Sequence, residues 1–295
     1  MTGIVYFCAV IPNYLDKTVL DKLILEAIRE DVGEGDHSTL AVIPEDKKAM
    51  ATLITKEDGI IAGLELAGMI YEKFDPGIEV KYLVKDGDTI SKGDILFEVQ
   101  GGARDILTSE RLILNFMQRM SGIATYTRKL AGLIDDLPTM LLDTRKTTPN
   151  LRMLEKWAVL IGGGSNHRIG LYDMIMLKDN HIDLAGGIGN AIKKTAEYLQ
   201  NSGKALKIEV ETRNLQEVGE VMESGGVDIV MLDNMSPGDM RAAVQLIDGR
   251  CKTEASGNVN ENTIRQIAEC GVDYISVGAL THSVKSVDLS LITKV

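Results

Sequence analysis

The stretch LDTRKTTPNLRMLEKWAVLIGGGSNHRIGLYDMIMLKDNHI, from Leu142 to Ile182, decides the fold because its short apolar runs end on basic turns. Arg145 closely follows one strand-like run, and Lys178 directly follows another. From Arg145 to Lys178 there are six basic and two acidic residues, a local charge of +4 in a chain whose net charge is -11. A basic stretch in an acidic protein predicts a site for a small anion rather than a nucleic-acid surface.

A solvated helix face is the simpler interpretation of part of this charge. Apolar residues between Leu151 and Ile161 have the spacing of one buried helix face, which would put Arg152, Glu155 and Lys156 on the solvent side, and we expect this for Lys156. That interpretation leaves out the basic residues that follow strand-like runs, and also His167 and its basic neighbour after three glycines. We therefore expect an anion site of carboxylate or phosphate type.

Length and composition limit the class of protein. A chain of 295 residues allows one large barrel or two domains, and a pI near 5.0 argues against nucleic-acid binding. Three cysteines without a C-x-x-C pair favour a reducing cytoplasm over a disulfide framework or a zinc cluster. The apolar run Gly3–Ile11 is too short to span a membrane and lacks the basic start of a signal peptide, so we expect an added strand or arm.

The first third of the chain mixes helices with short strands. Apolar periodicity predicts a helix over Thr18–Arg29, followed by a polar loop over Asp31–Thr39. Between Ala49 and Val99, short strands with Asp-Gly and Lys-Gly-Asp turns surround one helix and predict a small sandwich or half-barrel. A long helical zone follows, over Leu107–Leu137, with Gly122 as its expected break.

After Thr139 strands and helices alternate, which predicts a parallel α/β sheet in an open or closed barrel. The expected fold is therefore α/β, with a smaller α+β sandwich domain over 1–115, a (β/α) barrel-like domain over 116–284, and a tail over 285–295 that returns to the first domain. The expected strands are Met140–Leu142, Met174–Leu177, Leu206–Val210, Val227–Leu232, Cys251–Ala255 and Tyr274–Val277.

The residues at the ends of these strands differ in a regular way along the chain. Reactive groups in such barrels stand at the carboxyl ends of the strands. The early strands end on basic residues, the middle ones on the carboxylates Glu211 and Asp233, and the last on glycine-rich turns. That order suits a sugar diphosphate that is held through a divalent metal.

Nine segments along the chain form a recognisable series. They are EDVGEGDHST (Glu30–Thr39), ERLILNFMQRMSGIAT (Glu110–Thr125), DTRKTTP (Asp143–Pro149), GGGSNHRIGLYD (Gly162–Asp173), KDNHI (Lys178–Ile182), IEVE (Ile208–Glu211), VMLDN (Val230–Asn234), ASGNV (Ala255–Val259) and SVGALTHS (Ser276–Ser283). In this order they resemble one family, that of the quinolinate phosphoribosyltransferases. The resemblance implies phosphoribosyl transfer from phosphoribosyl pyrophosphate to quinolinate with decarboxylation, in the de novo synthesis of NAD. Asn150 and Trp157 depart from the family pattern, which usually has glycine and tyrosine there.

The resemblance also implies the roles of individual residues. Lys146, Glu211 and Asp233 are the expected catalytic residues, and the two carboxylates are the expected Mg²⁺ site, directly or through water. Arg111 is implied to enter the site of a neighbouring subunit in a homodimer. The dicarboxylate is assigned to Arg145, Lys146, Thr147, His167, Arg168 and Lys178, and the 5'-phosphate to the backbone of Ser256, Gly257, Asn258, Gly278, Ala279 and Leu280.

Two other functions remain open from the residues alone. A non-catalytic barrel that binds phosphorylated metabolites needs the basic residues and glycines, but not both Glu211 and Asp233. A phosphoribosyltransferase for another pyridine or base needs only a different set of basic residues. The presence of both carboxylates and of all four basic residues favours the enzyme that acts on quinolinate. The four basic residues are Arg145, Lys146, Arg168 and Lys178.

Overall fold

A computed structural model describes residues 11–294, which divide into two compact units. The first unit contains residues 11–128, 148–163 and 283–294, and the second contains residues 129–147 and 164–282. The arm expected at Gly3–Ile11 lies almost wholly outside the described residues.

The first unit contains an antiparallel sheet together with helices. Its helices are α1 (Lys17–Val32), α2 (His37–Val42), α3 (Leu64–Phe74), α4 (Ala103–Ala131, whose last turn enters the second unit) and α5 (Arg152–Ile161). Its strands are β1 (Lys48–Thr55), β2 (Gly59–Ile60), β3 (Glu79–Tyr82), β4 (Thr89–Ile90), β5 (Ile95–Gly102) and β12 (Leu289–Lys294).

The second unit alternates strands with helices. Its strands are β6 (Met140–Leu142), β7 (Ile175–Leu177), β8 (Ile208–Thr212), β9 (Ile229–Asp233), β10 (Lys252–Ser256) and β11 (Tyr274–Ser276). Its helices are α6 (Asp179–Ala185), α7 (Ile188–Ser202), α8 (Leu215–Ser224), α9 (Pro237–Ile247), α10 (Ile264–Ala268) and α11 (Ala279–His282).

The sheet of the first unit has the strand order β12-β1-β5-β3, and β2 pairs with β4 separately. All its pairings are antiparallel, and the last strand of the chain lies beside the first. Tyr71 of α3 and Tyr82 of β3 both pack edge-on against Phe97, with ring centroids 6.2 Å and 6.1 Å away. Tyr71 and Phe97 belong to the buried core of the unit, with apolar residues of α3 and β1, whereas Tyr82 is exposed.

Helix α4 corrects the expected break at Gly122, because it runs unbroken over 29 residues. Glycine is required there for a different reason: a Cβ at this position would collide with the backbone carbonyl of Lys285. The loop expected at Asp31–Thr39 is also partly wrong, since Asp36 caps α2 by accepting from the Thr39 backbone N–H at 3.1 Å. Within residues 11–294, no helix combines the length and apolar character needed to cross a membrane.

Helix α5 corrects the expected solvent face. Trp157 is buried as expected, but Glu155 and Lys156 are buried as well, at 1% and 0% exposure. The Glu155 carboxylate is stabilised by Arg119, whose Nε and Nη2 donate to it at 3.1 Å and 2.8 Å, and by the Thr148 backbone N–H at 3.0 Å. A charged residue in a helical pattern can therefore be buried when charged side chains and backbone N–H groups donate hydrogen bonds to it.

The loop before α5 explains one departure from the family pattern. Asn150 has a φ of 66°, in the left-handed region that glycine enters freely. Asparagine tolerates this region better than most other residues, so it can replace glycine here.

The second unit confirms the α/β barrel-like fold. Its six strands are all parallel, in the order β6-β11-β10-β9-β8-β7. In the described part of the chain β6 and β7 remain the two edges, so the sheet is open. Each expected strand of this region is present within two residues of its expected bounds.

We predict that Gly122→Ala lowers the free energy of unfolding by about 2 kcal/mol, because the new methyl group meets backbone that cannot rotate away. Gly219→Ala, in α8, is the matched control: its Cβ would meet no atom within 4 Å. The control should raise stability by roughly 0.5–1 kcal/mol through helix propensity. Urea denaturation followed by circular dichroism measures both, and equal effects would contradict the close approach.

Candidate active site

The carboxyl ends of the six parallel strands gather the polar residues of the second unit along one edge. Asp233 and Ser256 are paired in register at the ends of β9 and β10. Leu142 and Ser276 are likewise paired at the ends of β6 and β11. Because the strands are parallel, the residues that follow them all lie at the same edge of the sheet, the one formed by the carboxyl ends of the strands.

A buried aspartate joins the two halves of the basic stretch. Asp143 is 0% exposed, and its Oδ1 accepts from the His167 backbone N–H at 2.9 Å. Its Oδ2 accepts from the Asn166 side-chain amide at 2.6 Å. Backbone hydrogen bonds add to this link, since the Asp143 N–H donates to the Ser165 carbonyl at 3.1 Å. The segment that carries His167 is therefore held against the end of β6.

Two arginines lie close together at this edge. Burial lowers the pKa of Arg168, and the charge of Arg145 lowers it further. The Arg168 guanidinium donates to the Met174 carbonyl at 3.1 Å. Nε of Arg145 is buried and has no hydrogen-bond partner within residues 11–294. Two arginines placed against each other, one with an unused buried donor, are suited to bind an anion.

Lys146 lies against a glycine. A Cβ at position 278 would approach the Lys146 Cδ to 2.8 Å and the His282 ring to 3.1 Å, so only Gly278 leaves this space. The Thr281 hydroxyl donates to the Lys146 carbonyl at 2.8 Å and fixes the backbone. The side chain of Lys146 is exposed and extends from a fixed point beside β11.

A lysine and two carboxylates interact beside β7, β8 and β9. Nζ of Lys178 lies 3.8 Å from Oε2 of Glu211. Burial raises the pKa of Glu211, Lys178 lowers it, and the nearby Asp233 raises it again. The two carboxylates are therefore close enough to repel each other. Such a pair of oxygen donors fits a hard divalent cation such as Mg²⁺.

Side-chain amides connect the ends of β9 and β10. Asn234 donates to Asp233 at 2.8 Å and accepts from Asn258 at 3.0 Å. Asn234 and Asn258 are both in the left-handed region, with φ of 53° and 52°. Gly257 has a φ of 97°, and a Cβ there would collide with the Asn234 amide. This turn is fixed by its own side chains.

The remaining expected residues have different positions. Thr147 and Ala279 are half-buried, but Leu280 is buried and its backbone N–H already donates to the Val277 carbonyl at 3.3 Å. The Ser256 carbonyl accepts from the Asn234 N–H at 2.9 Å. Arg111 lies on α4 in the first unit, where it is exposed.

Two glutamates that the sequence reasoning left without a role form a cluster with His167. Nε2 of His167 lies 3.0 Å from Oε2 of Glu209 and 3.2 Å from Oε2 of Glu254. Each is an acid inside a strand of the parallel sheet, IEVET for Glu209 and KTEAS for Glu254, where an unpaired charge would be costly.

Burial and the two carboxylates act in opposite directions on His167: burial lowers its pKa, and the carboxylates raise it. Because Nδ1 accepts a hydrogen bond from the Arg168 backbone N–H, the ring proton is on Nε2, the nitrogen that faces the carboxylates. Burial also raises the pKa of Glu209, to about 7. The donor atoms of the three side chains lie within 4.8 Å of one another, close enough for a metal ion, and the carboxylate oxygens of both glutamates have no hydrogen-bond partner within residues 11–294.

A surface hollow of about 380 Å³ lies beside Arg168. Its walls include Met174, Met176, His181 and Lys194. The hollow therefore joins the basic site to an apolar wall.

Comparisons with known proteins give the family. Residues 123–292 match the model of the quinolinate phosphoribosyl transferase C-terminal domain, and residues 36–121 match that of its N-terminal domain. A chloroplastic nicotinate-nucleotide pyrophosphorylase [carboxylating] of Oryza sativa subsp. japonica is 51% identical over 95% of this chain and 78% of its own. A probable nicotinate-nucleotide pyrophosphorylase [carboxylating] of Bacillus subtilis is 42% identical over 92% of both chains.

A solved structure agrees with these sequence matches. The nicotinate-nucleotide pyrophosphorylase from Francisella tularensis is 41% identical, with a TM-score of 0.88 over 95% of this chain and 98% of its own. Two domain matches in order, together with relatives that align over nearly the whole chain, are conclusive. The chain belongs to the quinolinate phosphoribosyltransferase family.

Proposed function

We propose that this chain transfers the phosphoribosyl group of phosphoribosyl pyrophosphate to quinolinate and releases carbon dioxide. The products are nicotinate mononucleotide, pyrophosphate and carbon dioxide, as in the de novo synthesis of NAD. The observation that carries the proposal is the pair Arg145 and Arg168, which lie close enough to interact and include a buried donor, at the edge where the strands end. The names of the relatives support the same reaction.

The basic residues fit a planar substrate with two adjacent carboxylates. Arg145 and Arg168 can each donate two parallel hydrogen bonds, while Lys146 and Lys178 act as point charges. Arranged around one ring, they neutralise both carboxylates and fix the orientation of the ring nitrogen. A substrate that is held in one pose reacts without losing further rotational freedom.

The reaction needs no protein nucleophile. The pyridine nitrogen bonds to the sugar carbon as pyrophosphate leaves, and the positive charge passes to the ring. The charged ring then accepts the electron pair of the breaking carbon–carbon bond as carbon dioxide departs, and the ring carbon takes a proton. Glu211 and Asp233 stabilise the positive charge that develops on the sugar.

Glu211 and Asp233 also fit a divalent cation. Both offer hard oxygen donors, and burial, with a smaller contribution from the charge of Asp233, raises the pKa of Glu211, an effect that a bound cation would oppose. When bound, Mg²⁺ would neutralise charge on the leaving pyrophosphate.

One assay tests the proposal as a whole. Purified protein is incubated with quinolinate, phosphoribosyl pyrophosphate and Mg²⁺, and both pyrophosphate and carbon dioxide are measured. Equal amounts of the two products are expected. Pyrophosphate without carbon dioxide would indicate a phosphoribosyltransferase for another base.

We predict that nicotinate is a very poor substrate, while phthalate binds as an unreactive competitor. Nicotinate lacks the second carboxylate, so one or two of the basic residues would stay desolvated and unpaired. Charged hydrogen bonds contribute about 1.5–3 kcal/mol each, and a polar site can reject an analogue that lacks its partner by roughly 10⁴-fold. Steady-state kinetics should give that ratio in kcat/KM for quinolinate over nicotinate.

Variants connect this selectivity to named residues. Lys146→Ala and Arg168→Ala should each weaken the use of quinolinate much more than the binding of phosphoribosyl pyrophosphate. Lys204→Ala, which removes an exposed lysine that follows α7, is the control. If quinolinate and nicotinate have kcat/KM values within about tenfold of each other, these residues serve another group, such as phosphate.

The metal proposal gives a separate prediction. Removal of divalent cations with a chelator should abolish turnover, and Mg²⁺ or Mn²⁺ should restore it. Phthalate binding, which needs only basic residues, should survive chelation when measured by calorimetry. Full activity after exhaustive chelation would exclude the metal role of Glu211 and Asp233.

We further propose a homodimer with shared active sites, because Arg111 matches a family arginine that enters the site of the neighbouring subunit. A reducing compartment is proposed as well, the cytoplasm, and is supported by the free thiols of Cys251 and Cys270. Several plant relatives are named as chloroplastic or mitochondrial, so fractionation of the source cells is the direct test of location.

Mixed dimers test the shared site. Arg111→Ala and Lys146→Ala chains, each inactive alone, should regain activity when refolded together, because one site of each hybrid is intact. Statistical mixing predicts about a quarter of wild-type activity. Light scattering confirms the dimers, and inactive hybrids would show that each site is built from one chain.

A further inference from the structure

The cluster of His167, Glu209 and Glu254 has no role in the reaction as described above. The His167 side chain is 6% exposed, and both glutamate side chains are 0% exposed. Burial of two carboxylates is unfavourable unless specific donors are in place. We therefore expect the cluster to have a functional role, and the residues that contact it indicate what that role is.

Both ring nitrogens of His167 are engaged within the protein. Nε2 faces the two carboxylates, at 3.0 Å and 3.2 Å. On the opposite side of the ring, Nδ1 accepts from the backbone N–H of Arg168 at 2.7 Å. The ring thus spans the space between β8 and β10 on one side and the backbone of Arg168 on the other.

Arg168 needs such support from the chain around it. Its guanidinium donates to the Met174 carbonyl at 3.1 Å and to the Met176 sulfur at 3.5 Å, and neither acceptor is charged. Burial lowers the pKa of Arg168, the charge of Arg145 lowers it further, and the charges of Glu209 and Asp173 act in the opposite direction. A long side chain with these contacts keeps its direction only if its backbone is fixed.

The geometry points to Glu209 and Glu254 as positioning residues that hold the His167 ring. Through this ring they fix the direction of Arg168 toward the dicarboxylate. His167 itself makes no contact with the substrate. This role rests on the proposed function, because the direction of Arg168 matters only if Arg168 binds the dicarboxylate. It differs from the expectation drawn from the family resemblance, which assigned His167 to the substrate itself.

The first test compares two substitutions at Glu254. Glu254→Gln keeps a carbonyl oxygen that can accept from Nε2, and its KM for quinolinate should stay within about threefold of wild type. Glu254→Ala removes the acceptor, and its KM for quinolinate should rise by tenfold to about 100-fold. The KM for phosphoribosyl pyrophosphate should not change in either variant.

Each outcome of this comparison decides the question. Rescue by glutamine but not alanine supports the positioning role. An equal rise in the KM for quinolinate in both variants would mean that the charge of Glu254 itself is needed. A metal ion that copurifies with the wild-type protein, one per chain, and is absent from both variants would assign the cluster to a metal site instead. An unchanged Glu254→Ala variant would also overturn the role.

A second measurement uses the wild-type protein and does not depend on the folding of any variant. Nitrogen-15 spectra of labelled histidines, of which the chain has four, are recorded with and without saturating phthalate. The His167 ring resonances should move little, because the substrate does not touch the ring. A large shift or a new ring hydrogen bond to phthalate would make His167 a ligand and overturn the inference.

The proposed function can fail separately. If the wild-type protein neither turns over quinolinate nor binds phthalate, the proposed function is wrong and Arg168 does not bind a dicarboxylate. If wild type does both and Glu254→Ala behaves like wild type, only the positioning role is wrong.

Discussion

The site depends on one buried carboxylate, that of Asp143. It accepts from the His167 backbone and the Asn166 amide, two groups more than twenty residues further along the chain. Together with the backbone hydrogen bonds between Ser165 and the end of β6, this carboxylate holds the glycine-rich segment against the strand. With it, Arg145 and Arg168 are brought from distant parts of the chain to neighbouring positions, and the parallel sheet supplies the remaining residues.

Much of the fold could be predicted because its signals are local. Short apolar runs separated by amphipathic helices gave the six parallel strands of the second unit, and the residues after those runs gave most of the site. Lys146, Glu211 and Asp233 are visible in this way because each stands at or near a strand end, where polar residues need an explanation. The aromatic core around Phe97 also lies where the β-rich segment was expected.

What could not be predicted depends on contacts between residues far apart in sequence. Gly122 is read as a helix break by propensity, yet the residue is required by the carbonyl of Lys285, which no local pattern reveals. Glu155 is read as solvated, since its partner Arg119 belongs to another helix. The contact of Glu209 with His167 could not be predicted for the same reason. It forms only because β8 and β10 place two carboxylates beside one ring.

The pairing of β12 with β1 has a consequence for biosynthesis. Met50 lies opposite Lys294, so the first sheet cannot be completed until the residues through Lys294 have been translated. Until then β1 is an unprotected edge with open backbone groups, and such edges recruit strands from other nascent chains. A chaperone that covers this edge during translation would therefore raise the yield of folded protein, and removal of Leu289–Lys294 would favour aggregation.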